Sequence, residues 1–148
     1  MVSAMRTWTA TATAPAHPAA VLDVLTDPDA CARWAPLPFD VDELATRRLA
    51  AGSRARISGK LAGKRVGFDV EVHEADERGL RLSADGPVGM EVDYRLAPVP
   101  AGSQLHASIS LRPSRGIAGR ILAEATGALL TAGALEHAIS RIVQEVAA

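Results

Sequence analysis

The chain has 148 residues, enough for one domain with a sizeable core and too few for two comfortable ones, so residues 1–148 are read as a single domain. Its 16 basic and 17 acidic side chains leave a formal net charge of −1, which excludes bulk attraction to nucleic acid or to an anionic membrane surface. A single cysteine, Cys31, excludes an internal disulfide and the usual cysteine-based zinc sites. No basic-then-apolar leader follows Met1, and the longest uncharged apolar run, from Ala125, falls short of the roughly 20 residues a membrane span needs. A soluble, cytoplasmic protein without stable membrane insertion is expected.

Thr7, Thr9 and Thr11 alternate with Trp8, Ala10 and Ala12, a period of two that predicts a first strand over 5–14. Pro15 and Pro18 end it. Pro18 suits the first position of a short helix over 18–26, in which Val21, Val24 and Leu25 share one face. Asp27 and Pro28 cap and open a second short helix, where Ala30, Cys31 and Trp34 recur at three and four residues. Trp34, one of five aromatic side chains, stands just before Pro36 and Pro38. Residues preceding proline favour extended conformations, so the chain must leave the helix just past Trp34.

From Phe39 to Arg112 the pattern changes to alternating runs separated by glycine or proline, predicting six antiparallel strands at roughly 40–48, 53–61, 65–75, 79–85, 88–97 and 104–112. A two-residue loop at Ala62-Gly63 would set Leu61 opposite Lys64, Ile57 opposite Phe68 and Ala55 opposite Val70. The other face then pairs Arg56 with Asp69 and Arg54 with Glu71, opposite charges that favour this register. The last hairpin likewise matches Leu96 with Leu105, Tyr94 with Ala107, Val92 with Ile109 and Met90 with Leu111.

After Pro113, apolar residues recur at helical spacing from Ile117 through Ile121, Ala125, Ala128, Ala132, Leu135, Ile139 and Ile142 to Val146. One long helix over about 115–147 is expected, roughly 45 Å long if unbroken. Its middle holds Gly127, Ala128, Ala132, Gly133 and Ala134, too little volume for ordinary packing. Either this helix lies very close to the sheet, or a space remains between them.

The order of elements, together with TATAPAHPAAVLDVLTDP over 11–28, RWAP over 33–36 and AGSRAR over 51–56, resembles the SRPBCC superfamily, also called START-like or pollen-allergen-like, and within it the polyketide cyclase/dehydrase group. The resemblance covers essentially the whole chain. It implies an α+β helix-grip fold: a curved seven-stranded antiparallel sheet wrapped around a long C-terminal helix, with two short helices after the first strand. It further implies an internal cavity for a hydrophobic small molecule and calls for no cofactor. The superfamily includes lipid carriers, hormone receptors and aromatic polyketide cyclases, so the role has to be argued from the cavity lining.

Alternation places Ile57, Phe68, Val70, Met90, Val92 and Ile109 on the inward face, an almost purely hydrocarbon surface suited to an apolar or aromatic ligand. Trp34 is expected to line the entrance as a plug or gate, or to be a core anchor, and Ala128 and Ala132 to face the cavity from the long helix. Tyr94, the one tyrosine, falls on the apolar face, where its hydroxyl needs a partner. It is a candidate catalytic donor to a carbonyl as it enolises; the alternative is a core tyrosine bonded to a backbone carbonyl. Glu43 shares its side with Val41 and Ala45 and is a second catalytic candidate, a carboxylate that burial would convert into a useful base.

No metal constellation is visible: His17, His73, His106 and His137 are scattered and read as surface residues, and Cys31 as a small buried hydrophobe. Gly59-Lys60 lacks the spacing and the Ser or Thr of a phosphate loop. Between Leu44 and Phe68 lie seven basic residues, Arg47, Arg48, Arg54, Arg56, Lys60, Lys64 and Arg65, and no acidic one. They read as a solvated sheet face; the sharper expectation is docking of an acidic acyl carrier protein. Two functions follow from the resemblance: a cofactor-independent polyketide cyclase or dehydratase, or a non-catalytic carrier of lipid or quinone-like molecules.

Overall fold

Seven period-two runs become seven strands of one antiparallel sheet: β1 (Arg6–Ala14), β2 (Asp40–Leu44), β3 (Arg54–Leu61), β4 (Lys64–Asp76), β5 (Gly79–Asp85), β6 (Met90–Val99) and β7 (Gly102–Leu111). The computed structural model describes residues 6–36, 39–44, 46–61, 63–112 and 116–147. Sheet order is β1-β7-β6-β5-β4-β3-β2, so β1 closes on the last strand and every other neighbour is a hairpin partner. The registers match those expected: Leu61 opposite Lys64 and Ile57 opposite Phe68 in the β3–β4 hairpin, Tyr94 opposite Ala107 and Met90 opposite Leu111 between β6 and β7. Ala62, in the turn, lies outside the described residues, as do Pro38 and Ala45.

Two short helices connect β1 to β2. In α1 (Pro18–Thr26) the His17 side chain accepts from the Ala19 N–H at 3.2 Å, and in α2 (Pro28–Trp34) Asp27 accepts from the Asp29 N–H at 3.0 Å. Each cap satisfies a backbone donor that the first turn leaves unpaired, and each is followed by proline at the first helical position. Val21, Leu25, Ala30, Cys31 and Trp34 are buried by this pair.

The C-terminal helix is long but divided. Gly133 has φ +108°, a conformation that L side chains rarely adopt, and separates α3 (Gly116–Thr131) from α4 (Ala134–Ala147). The break rephases the apolar pattern. In α4 the expected face is buried through Leu135, Ile139 and Ile142, which pack with β1, β7, α1 and α2. In α3 the buried face is instead Gly119, Leu122, Thr126, Gly127 and Leu130, while Ile117 and Ile121 are 78% and 56% exposed. The expectation that Ala128 and Ala132 face a cavity is therefore corrected: both are exposed, because one helical phase does not carry across Gly133.

The small residues of α3 serve close approach. A side chain at Gly127 would collide with the Arg6 guanidinium, which stacks on the Trp8 ring at 4.8 Å, and the Trp8 indole N–H donates to the Thr131 hydroxyl at 3.1 Å. Its contacts thus run from the start of β1 to β3, strands near opposite edges of the sheet. Strand β2 is shorter than expected, ending at Leu44; the chain bends at Thr46–Arg48, and Leu49 N–H donates to the Thr26 carbonyl. Among the described residues no helix is long and apolar enough to cross a membrane.

Gly79, with φ +143°, sits where an added Cβ would lie 1.9 Å from the Tyr94 carbonyl oxygen. Gly79→Ala should therefore cost about 3 kcal/mol or more, whereas Gly133→Ala, with no heavy atom nearer than 3.8 Å, should cost only the left-handed penalty of about 1–2 kcal/mol. Chemical denaturation of both variants checks the order.

Candidate ligand-binding cavity

Because β3 to β7 turn alternate residues inward, hydrocarbon side chains enclose a cavity of about 130 Å³ between the sheet and α2. Of the residues expected to contact a ligand, Ile57, Phe68, Val70, Met90, Val92 and Ile109 line it from the strands, joined by Trp34 and Tyr94. Ala128 and Ala132 do not. Sequence reasoning missed Phe39, Leu44 and Leu49, which line it near the exit of α2. It also missed Cys31 as a lining residue, although Cys31 shares the face of α2 that carries Trp34.

Glu43 is the second correction. A β-bulge between Val41 and Glu43 adds a residue to β2, so Val41 faces Ile57 and Leu44 faces Ala55 on the inner side. Glu43 is thrown to the outer side, opposite Arg56, and is exposed. Strict alternation across the bulge would have put it inside.

Trp34 is fixed at two points. Its indole N–H donates to the Val24 carbonyl at 3.1 Å, and its ring meets Tyr94 edge to face, with centroids 5.2 Å apart at 81°. Tyr94 is 1% exposed, and its hydroxyl finds no hydrogen-bond partner among the described residues. The alternative of a core tyrosine bonded to a backbone carbonyl thus does not hold. Burial, with Cys31 close by, pushes the phenol pKa well above its ordinary range. The Cys31 thiol donates to the Leu25 carbonyl at 3.2 Å and its pKa is pushed up to about 12, chiefly by burial and secondarily by Asp27. Near neutral pH the cavity therefore offers two protonated groups, and no carboxylate, imidazole or amine among the described lining residues.

Charges occupy the opposite face of the sheet. Arg56 donates to Asp69 at 3.1 Å, Arg54 lies 3.9 Å from Glu71, and Arg65 donates to the Ser58 hydroxyl. Arg48 donates to the Asp23 carbonyl, so four of the seven basic residues are engaged locally while Arg47, Lys60 and Lys64 are exposed. The histidines are similarly peripheral: His73 bonds Ser83 at 2.8 Å, His106 bonds Thr11 at 2.9 Å, and His137 is exposed.

A family model described as polyketide cyclase / dehydrase and lipid transport matches residues 5–147. Among solved structures, protein TTHA0849 from Thermus thermophilus superposes with a TM-score of 0.70 at 20% identity, covering 95% of this chain and 97% of that one. Protein CV1439 from Chromobacterium violaceum gives 0.67 at 16% identity, covering 95% and 96%. Ara h 8.0201 gives 0.63 at 12% identity, covering 97% and 98%. At these identities the likeness is one of fold. A search of curated proteins found no match.

The raised Cys31 pKa has a defined consequence. Because the folded value of about 12 exceeds the ordinary 9.0, the buried thiol contributes stability that is fully present below about pH 9 and is lost as pH rises towards 12. At pH 8 an aromatic disulfide reagent should modify Cys31 only as fast as the chain opens, and completely only in denaturant. Rapid stoichiometric labelling of the folded protein would contradict this burial.

Proposed function

The chain belongs to the polyketide cyclase/dehydrase and lipid transport family of the SRPBCC superfamily, and from that premise we propose that it is a non-catalytic carrier of an apolar, ring-containing small molecule. The observation that carries this reading is the chemistry of the lining: hydrocarbon throughout, with Cys31 and Tyr94 both held protonated. Cyclisation or dehydration of a polyketide requires a group that takes a proton from carbon as an enolate forms. Glu43, the candidate base, is exposed on the far side of the sheet, and Tyr94 alone can donate but not accept at neutral pH. Affinity for a carried molecule comes instead from apolar area removed from water, at about 25 cal/mol per Å².

The reading does not include docking of an acyl carrier protein. Arg48, Arg54, Arg56 and Arg65 are engaged with neighbours of this chain, which leaves Arg47, Lys60 and Lys64 as a sparse basic surface. Absence of salt-sensitive binding to an acidic carrier protein is the corresponding expectation.

Replacing Trp8 by Phe leaves Trp34 as the sole tryptophan, a reporter whose ring lines the cavity. Titration of that variant with toluene should shift or quench its emission, and Val92→Phe, which fills the cavity, should weaken binding at least tenfold. Calorimetric binding with unchanged emission would place the ligand elsewhere, and no binding would reduce the cavity to a packing defect. A molecule co-purified from the host should be recovered chemically unchanged after long incubation; its conversion would reinstate the cyclase or dehydratase reading.

A further inference from the structure

Resting on the cavity reading above, the identity of the one unused hydrogen-bond donor among the described lining residues defines what the ligand must carry. Three polar side-chain groups reach the lining. Trp34 spends its N–H on the Val24 carbonyl and Cys31 its S–H on the Leu25 carbonyl. Of the three, only the Tyr94 hydroxyl, at a residue 1% exposed, has no partner among the described residues. An unmade hydrogen bond at a buried hydroxyl costs stability, and the surroundings offer no cheap remedy. A water molecule beside it needs two to four polar partners and would find one, the rest of the wall being hydrocarbon.

The hydroxyl is also held in place. Tyr94 pairs with Leu80 of β5 and with Ala107 of β7, so its backbone is locked on both sides, and Trp34 packs edge-on against its ring. A rigid donor reads one position on a ligand rather than adapting to many. Tyr94 lines the cavity, and its proton is retained far above neutral pH, so the residue offers a hydrogen and never a negative charge. No Lys, Arg or His stands among the described lining residues, so a carboxylate brought inside would be buried without a counter-ion.

We propose that Tyr94 is the specificity-determining residue of the cavity, donating a hydrogen bond to the single acceptor oxygen of a neutral, ring-sized apolar ligand such as an aryl ketone, and that the same cavity rejects carboxylates of equal size. The volume agrees: about 130 Å³ is close to the roughly 150 Å³ of an engineered dry cavity that takes benzene. Longer substituents would extend past the half-buried Phe39, Val41 and Leu49 towards the exit of α2.

Calorimetric titration of the full chain at pH 7 with ethylbenzene, acetophenone and benzoate tests this, because the three share a ring and differ in the oxygen. Acetophenone should bind about tenfold more tightly than ethylbenzene, and benzoate should not bind measurably. In Tyr94→Phe the preference for acetophenone should collapse to about one while ethylbenzene affinity stays unchanged, and the variant should be at least as stable as the parent. Equal affinity for acetophenone and ethylbenzene in the parent, a preference that survives in Tyr94→Phe, or tight binding of benzoate would each overturn the proposal. A marked loss of stability in Tyr94→Phe would overturn it too, by revealing that the hydroxyl is used by the fold. Failure of both neutral compounds to bind would overturn the carrier reading itself, an outcome distinct from loss of selectivity.

Discussion

The edge-on contact between Trp34 and Tyr94 is the constraint on which the interior depends. Helix α2 has seven residues, too few to persist in water on its own, so its place is set by what it buries. Trp34 supplies most of that burial, and its indole N–H ties it back to Val24 in α1, making the two short helices one unit. That unit lies over the middle of the sheet at β6, while α4 packs at the β1 edge. Between α2 and the inner surface of the sheet the lining is hydrocarbon apart from Cys31, Trp34 and Tyr94, and about 130 Å³ stays unfilled. The same contact fixes the tyrosine ring whose hydroxyl lacks a partner.

Charge on the outer face guards this interior. Exposed pairs such as Arg56 with Asp69 each add little to stability, typically under about 1 kcal/mol. Their greater effect is on register. In β3 and β4 a slip of one residue would turn Arg54, Arg56, Asp69 and Glu71 inward and expose Ile57, Phe68 and Val70. The two faces of the hairpin therefore specify one another.

Legibility in the sequence followed from how local each determinant is. The β3–β4 and β6–β7 registers could be counted from the chain because each depends on a short turn and uninterrupted alternation, whereas the helix-grip arrangement of the seven strands was implied by the family resemblance. The cap at Asp27 was equally local, with proline one residue on, whereas His17 was read only as a surface residue although its side chain caps α1. Glu43 was misplaced because a bulge inserts one residue without any Gly or Pro to mark it, and a single insertion inverts every later side chain in β2. Ala128 and Ala132 were misplaced because Gly133 was read as a small residue inside a helix when its positive φ ends one. In α3 the apolar stripe through Ile117 and Ile121 outranked, on hydropathy alone, the true buried face, where Gly127 leaves room for Arg6. Such close approach is a tertiary fact with no periodic signature.

The cavity and the unpartnered tyrosine both lower stability, and their joint persistence is an argument about selection. At roughly 24 cal/mol per Å³, a 130 Å³ void costs about 3 kcal/mol against a filled core. An unsatisfied buried hydroxyl adds about 1–3 kcal/mol. Together they come to about 4–6 kcal/mol, comparable with the lower end of the margin of a typical domain, about 5–15 kcal/mol. Simple substitutions would relieve both: larger side chains at Ala55, Ala84 or Val92 would fill space, and phenylalanine in place of Tyr94 would keep the ring and remove the hydroxyl. A sequence maintained for stability alone would accept them. One that keeps small residues around a fixed, dry donor is stabilised by something that enters the cavity, and a ligand bound at a hundred times its dissociation constant would restore about 2.7 kcal/mol of that loss.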